Sequence, residues 1–378
     1  MDRISIPSLN LSLPRLGFGC MRLIDDGQGN IETAPALKLL HTALEAGVDY
    51  FDTAYVYHGG KAEAFLGKNF FSALPREKFM LATKMPVSRI KEAAACEPLF
   101  CGQLKALRVE HIDFYLAHSL NKQSWQRFCG LGGADHLLRL KKEGRVRFLG
   151  FSFHGEPEDI GQIMDDFPWD FVQLQINYYD WPTQTQNAKL QYTEALKRGL
   201  PILVMEPVRG GSLANLPPAA VELLNNYEPY CNQARWAMRW VGSLPGVSMI
   251  LSGMNSGQQL AENIDTFSGF RPLSQTEQQT ITELTSFLHK QPHVGCTGCD
   301  YCKEACPQRI LISTAFEAYN DYLRLKDKRI LRNYRLFNPV ERQSPQCTAC
   351  AACVPHCPQG LDIPERLAAL NSELASLG

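Results

Sequence analysis

Eight of the thirteen cysteines fall in two runs near the end of the chain. Cys296, Cys299, Cys302 and Cys306 are followed by Pro307, and Cys347, Cys350, Cys353 and Cys357 by Pro358, so both runs read C-x2-C-x2-C-x3-C-P. Three thiolates at intervals of three wrap one face of an iron–sulfur cubane, while the fourth points away toward a second cubane. The repeat therefore implies two [4Fe-4S] clusters with exchanged fourth ligands. Cys296, Cys299 and Cys302 join Cys357 on one, and Cys347, Cys350 and Cys353 join Cys306 on the other. Zinc is the alternative for C-x2-C pairs, but a tetrahedral four-thiolate site would leave thiols over in each run and has no use for the proline. A cluster passes one electron at a time, so two together make a short wire or a store for a pair. The other five cysteines, Cys20, Cys96, Cys101, Cys129 and Cys231, are scattered, as buried structural thiols are.

A second chemical set precedes the cysteines. Asp52 ends VDYFD, Tyr57 follows five residues later, Lys84 ends FMLATK and His118 ends FYLAH. One polar residue at a strand end is an ordinary cap, but these four gathered on one rim would build a proton donor for a carbonyl.

The elements that must gather them are short apolar runs alternating with amphipathic segments between Arg15 and about Phe267, the pattern of strand–helix units around a parallel sheet. Strands are expected in RLGFG, VDYFD, FMLATK, IDFYLAH, VRFLGFS, FVQLQIN, PILVME and VSMILSG. Their nearly continuous apolar character suits burial on both faces. Helical patterns such as ALKLLHTALEAG and AKLQYTEALKRG close with a glycine. Eight such units close most simply into a (β/α)8 TIM barrel, whose catalytic residues sit at the C-terminal strand ends. A doubly wound sheet is the rival, but no G-x-G-x-x-G follows the first strand. PLSQTEQQTITELTSFLHKQ reads as a helix leaving the barrel, capped at Ser274 with Glu277 three residues on. The expected division is a barrel over 1–290 and a small, mainly helical, ferredoxin-type domain over 291–378. In the latter, helices bridge the two cysteine runs and carry a run of Arg and Lys, read as a solvated face in preference to a docking site for an acidic electron carrier.

FDTAYVY, LATK and YLAH, with the GFGCMR start and the SGMNSGQQLAENI end, resemble the aldo-keto reductases from Arg15 to Phe267. With the cysteine tail, the chain resembles the members fused to a ferredoxin-like domain. The resemblance implies a nicotinamide cofactor extended across the rim and carbonyl reduction by hydride transfer. It makes Tyr57 the general acid, Lys84 the cation that lowers its pKa, Asp52 the partner of that lysine, and His118 the group that orients the carbonyl oxygen or helps pass the proton. Asn121 would line the pocket. A phenol near its ordinary pKa of about 10 is a poor acid at neutral pH unless a cation stabilises the phenolate. Cofactor positions carried over are Gly19, Cys20 and Met21 after the first strand, and Ser152 and Gln173 for the carboxamide, with Gln175 or Asn177 sharing that role. Met205 stands where an aromatic ring usually stacks, and Phe153 where an asparagine is common. The turn with Ser252, Gly253, Asn255 and Ser256 suits phosphate at a helix N-terminus. Glu262 and Asn263 match adenine contacts. Gly253 and Gln259 occupy places where NADPH-preferring relatives carry basic residues, so NADH is favoured, with Arg209 as a substitute cation.

The composition, 38 basic against 39 acidic side chains, argues against nucleic acid or an anionic membrane as partner. The start lacks an apolar signal segment, and no stretch approaches the length of a membrane span, which together with the clustered thiols points to the cytoplasm. The expected partners are a small carbonyl-type substrate and a ferredoxin or other electron carrier. No flavin motif converts between a hydride and single electrons. Three readings thus stay open: a nicotinamide-linked reductase, a nicotinamide-independent reductase fed by the clusters, and a non-catalytic relay or sensor.

Overall fold

In the computed structural model, described here over residues 1–377 except 27–29, 184–185, 229–231, 297, 299 and 358, the chain divides into two compact units. Cys231, Cys299 and Pro358 lie outside the described residues.

The first unit comprises Met1–Pro207 and Arg235–Ser274. It opens with an antiparallel hairpin of β1 (Arg3–Ile6) and β2 (Leu11–Pro14). Eight parallel strands follow: β3 (Leu16–Gly19), β4 (Tyr50–Asp52), β5 (Met80–Met85), β6 (Ile112–Leu120), β7 (Val146–Phe153), β8 (Phe171–Gln175), β9 (Ile202–Met205) and β10 (Val247–Ser252). They close into a barrel in sequence order, with β10 pairing β3. All eight expected strands are present, with helices between them. The helices Thr33–Glu45 and Ala188–Lys197 end just before Gly47 and Gly199, whose positive φ a side chain would resist.

Side chains alternate across a strand, and this period of two builds the site. Tyr50, Ala82, Phe114, Leu116, Phe171, Leu203 and Met249 fill the barrel interior. Two residues further along the same strands come Asp52, Lys84, His118, Gln173 and Met205, so the face that packs the interior delivers the polar set to the C-terminal rim. Ser152 follows Gly150 in the same way. At the opposite mouth the hairpin inserts Ile6, Leu9 and Leu13 into the same cluster. The hairpin was not anticipated, although the alternation in RISI and LSLP around Asn10, at φ 50°, is its signature.

The second unit comprises Val208–Ala234 and Gln275–Gly378. Among its described residues it is helical, with Gln275–Lys290, Ile312–Leu325, Lys328–Phe337 and Ile363–Ala375 as its longer helices. Their apolar faces, including Ile310, Phe316, Leu331, Ile363, Leu367 and Leu370, share a core with Cys302 and Cys353. By packing, the helix Gln275–Lys290 and the excursion Val208–Ala234 group with this second unit, which therefore begins before the expected domain boundary at 290/291. No helix among the described residues is long and apolar enough to cross a membrane.

A Cβ at Gly150 would lie 2.4 Å from the ring of Phe171 on the neighbouring strand. Gly150→Ala should therefore cost about 1–3 kcal/mol through overpacking, read as a lowered chemical-denaturation midpoint, and Phe171→Leu in the same chain should restore part of it. An unchanged midpoint would show that β7 and β8 are not packed as described.

Candidate active site and cluster cavities

Lys84 is fully buried, and its ammonium finds three acceptors, as an isolated buried charge must. Nζ donates to Asp52 Oδ1 at 2.6 Å, to the Thr53 carbonyl at 2.8 Å and to the Tyr57 hydroxyl oxygen at 3.2 Å. Burial alone would favour loss of its proton, but the Asp52 carboxylate and the Tyr57 oxygen more than offset this and raise its pKa. For Tyr57 the net direction is also upward, because burial outweighs the pull of Lys84. This corrects the expected lowering: Tyr57 is kept protonated in the resting site, and Lys84 stands ready to stabilise charge on its oxygen once the proton leaves. Tyr57 enters through a tight turn, its N–H donating to the Ala54 carbonyl, with His58, Gly59 and Gly60 at positive φ behind it.

His118 lies edge-on to Tyr57, ring centroids 6.3 Å apart. Burial, aided by the Lys84 charge and by His154, pushes its pKa down to about 3. A neutral imidazole beside a protonated phenol is a hydrogen-bonding guide for an oxygen atom, not a proton store. Asn121 takes another role: its side chain accepts from the Ser124 N–H at 2.8 Å and caps the helix Lys122–Gly130.

The rim also offers polar atoms for a planar amide. The Gln173 amide donates to Met205 Sδ at 3.7 Å, while its Oε1 is buried without a hydrogen-bond partner. Ser152 Oγ accepts from the Ser119 N–H, which leaves its own hydroxyl proton to donate. An orphaned buried amide oxygen beside a hydroxyl fits the carboxamide of a nicotinamide. Gln175 and Asn177 are committed elsewhere, both donating to Asp180 Oδ2 at 2.9 Å. Phe153 is fully buried.

Gly19 and Gly253, at the ends of the paired strands β3 and β10, form a cradle that side chains would fill. A Cβ on Gly19 would meet the Ser252 carbonyl at 3.3 Å, and one on Gly253 would meet Arg22 Cγ at 2.6 Å. Arg22 was not singled out in the sequence, and its only signal there is a basic residue three positions after Gly19. Met21 is exposed, whereas Cys20 is fully buried, so only its backbone can face a ligand. Ser256 caps the helix Gly257–Phe267, accepting from the Gln259 N–H, and Gln259 Oε1 reaches back to the Asn255 N–H. Glu262 accepts from Gln258, and Asn263 donates to Ser252 Oγ, so these expected contacts brace the turn itself. Arg209 belongs to the second unit, where its guanidinium pairs with Asp321 and its charge is already compensated. That corrects its expected role as a substitute phosphate cation.

In the second unit the cysteine side chains surround two cavities. One is lined by Cys347, Cys350 and Cys353 together with Cys306. The other is lined by Cys296 and Cys302 together with Cys357. Each cavity thus draws thiols from both runs. Among the described residues no group of three or more His, Cys, Asp or Glu side chains is placed to hold a single metal ion. The first run is held by a residue that the sequence did not reveal. Buried Asn320 accepts from the Val294 N–H at 2.6 Å and donates to the Val294 carbonyl at 2.9 Å, two residues before Cys296. Such a two-way grip mimics a strand partner and fixes where the run begins.

With this geometry in view, the chain was compared with known proteins. Residues 15–286 match the aldo/keto reductase family and residues 295–361 match a 4Fe-4S dicluster domain. L-galactose dehydrogenase of Arabidopsis thaliana is 25% identical over 313 residues, covering 76% of this chain and 95% of the plant protein. The NADH-specific methylglyoxal reductase of Escherichia coli K12 is 22% identical over 311 residues, covering 70% and 93%. Among solved structures, the holo form of an aldo-keto reductase from Bacillus halodurans superposes with a TM-score of 0.62 at 23% identity, covering 75% of this chain and 96% of that one. One from Klebsiella pneumoniae in complex with NADPH gives 0.60 at 18%, covering 75% and 96%. The lysine–aspartate–tyrosine set stands in a barrel that the family model spans almost end to end, and the chain is a member of the aldo/keto reductase family, an oxidoreductase that carries a 4Fe-4S dicluster domain at its C-terminal end.

Proposed function

We propose that the barrel reduces the carbonyl group of a small molecule with NADH, and that two [4Fe-4S] clusters exchange electrons with a single-electron carrier. The observation that carries the reading is the Lys84 ammonium held between Asp52 and Tyr57. When bound, NADH supplies the hydride. Tyr57 donates its proton to the developing alkoxide, Lys84 steadies the charge left on the phenol oxygen, and Asp52 keeps Lys84 charged and in place. Neutral His118 orients the carbonyl oxygen. Gln173 and Ser152 orient the carboxamide, and the Gly19–Gly253 cradle with Arg22 receives phosphate. No basic residue occurs between Ser252 and Asn263, so Arg22 serves one pyrophosphate and leaves no cation for a 2′-phosphate. This supports NADH. In the second unit, Cys296, Cys299, Cys302 and Cys357 would hold one cluster and Cys347, Cys350, Cys353 and Cys306 the other, a pair whose two electrons equal those of one hydride.

Tyr57→Phe should lower the rate of aldehyde reduction by at least about a hundredfold with the cluster absorbance unchanged; a preserved rate would remove Tyr57 from the acid's role. In the native enzyme kcat should show no break near pH 6.5, about where an ordinary imidazole titrates, because His118 is neutral throughout that range; a break there that vanishes in His118→Phe would contradict the assignment. Fluorescence titration should find NADH bound more tightly than NADPH and Arg22→Ala weakening NADH by roughly tenfold. Tighter NADPH would overturn the preference. Cluster exchange is tested by two double variants: Cys302→Ser with Cys357→Ser strikes one cluster and should leave about four irons per chain, whereas Cys302→Ser with Cys306→Ser strikes both. Equal iron loss in the two would rule out the crossed arrangement.

A further inference from the structure

The helix Lys328–Phe337, which joins the two cysteine runs, has an inner and an outer face of opposite character. Inside, Leu331 and Tyr334 belong to the core that includes Cys302 and Cys353. Outside, Leu336 is 74% exposed, and Phe337 and Val340 are 69% and 68% exposed. Among the described residues these are the three most exposed large apolar side chains, and they lie within five positions of one another. The segment from Lys328 to Val340 contains Lys328, Arg329, Arg332 and Arg335 and no acid. Arg329 is engaged by Asp327. Lys328, Arg332 and Arg335 have exposed side chains, and among the described residues none of them is drawn into an ion pair. Arg332 lies one turn before Leu336 and one turn after Lys328, so like charges follow each other along one face, which opposes helix formation unless an outside anion relieves it.

Resting on the electron exchange proposed above, we propose that this face is the docking site of an acidic single-electron carrier protein, with Leu336, Phe337 and Val340 as its apolar centre and Lys328, Arg332 and Arg335 as its steering rim. The chemistry of the face favours that occupant. A basic rim around a small apolar centre complements an acidic surface with an apolar middle, raises encounter rates and fixes register. A second copy of this chain on a two-fold axis would set arginines against arginines. The chain as a whole is near neutral, so the charge is local to the helix. The face also backs onto a cluster. The Ser344 N–H, three residues before Cys347, donates to the Tyr334 hydroxyl at 2.8 Å. The Leu311 N–H, five residues after Cys306, donates to the Arg342 carbonyl at 3.0 Å. Cys306 and Cys347 line the same cavity. One electron leaves the reduced carrier, oxidising it by one unit, and reduces that cluster by one.

The test uses the anaerobic full-length holoprotein and a photoreduced, acidic, plant-type [2Fe-2S] ferredoxin as probe, with bleaching of the [4Fe-4S] absorbance followed by stopped flow. The native protein should be reduced at a bimolecular rate that falls as salt is added. Arg332→Glu with Arg335→Glu should lower that rate by about tenfold or more, and Leu336→Ser should also lower it, while iron content and direct photoreduction by a deazaflavin stay at native values. Reduction of the charge-reversed protein at the native rate would overturn the docking face while leaving cluster electron exchange intact. Clusters that accept no electron from either reductant in the native protein would overturn both readings. Sedimentation with phosphatidylserine vesicles, or self-association in the ultracentrifuge, that is lost in Leu336→Ser would assign the face to a membrane or a second copy and overturn the carrier.

Discussion

A charged amine with no access to water is the constraint around which the barrel's chemistry is arranged. Removing an ammonium from water costs several kcal/mol even after relaxation, and only close, well-aimed acceptors repay it. Lys84 has three, one each from a carboxylate, a backbone carbonyl and a phenol. Asp52 and Lys84 must therefore come from neighbouring strands, with β4 and β5 paired in the register that places Asp52 beside Ala82, two residues before Lys84 on the same face of β5. The phenol takes the remaining valence of the amine, so the residue that can release a proton is also one that the fold needs in place. Stability and reactivity share one set of hydrogen bonds, and the same burial that holds Tyr57 protonated keeps His118 neutral.

The dicluster module meets the converse problem, of thiols enclosing spaces that its own side chains do not fill. Apolar side chains from its helices close the walls, and Val294 is gripped from both sides by Asn320, so the first run starts from a fixed point. Because one cavity takes Cys347, Cys350 and Cys353 with Cys306, and the other takes Cys296 and Cys302 with Cys357, the two loops must come together before either cavity is complete. The long helical connection between the runs is what carries the chain from one to the other.

Much of this was legible in the sequence because it follows from periodicity and spacing. The eight strands, the rim positions of Asp52, Lys84 and His118, and the meeting of Cys306 with the second run and of Cys357 with the first all come from patterns that local chemistry enforces. What was not legible depends on partners distant in sequence. Arg22 acquires meaning only when β3 lies beside β10 and its side chain covers Gly253. Asn320 reads as one more polar residue on a helix until Val294 is packed against it. Arg209 looked available for phosphate, but Asp321, 112 positions away, neutralises it. The sign of the Tyr57 shift went astray for a related reason: the cation is visible in the sequence, whereas the depth of burial that outweighs it is a property of the closed barrel. The hairpin's strands are as long as β3 and longer than β4, but they precede the run of strand–helix units and carry no helix between them, so they fall outside the repeat that made the others legible.

The excursion Val208–Ala234 has a bearing on how such a protein is divided. Counting along the chain, the backbone passes from one compact unit to the other between residues 207 and 208, 234 and 235, and 274 and 275. The second compact unit thus reaches back to include Val208–Ala234, a stretch within the residues that match the aldo/keto reductase family. It consists of an insertion and an extension, and neither unit corresponds to a single uninterrupted length of chain. A cut at 234/235 leaves both fragments holding parts of both units, and a cut at 207/208 or 274/275 leaves one fragment so, and therefore no single cut separates the two units.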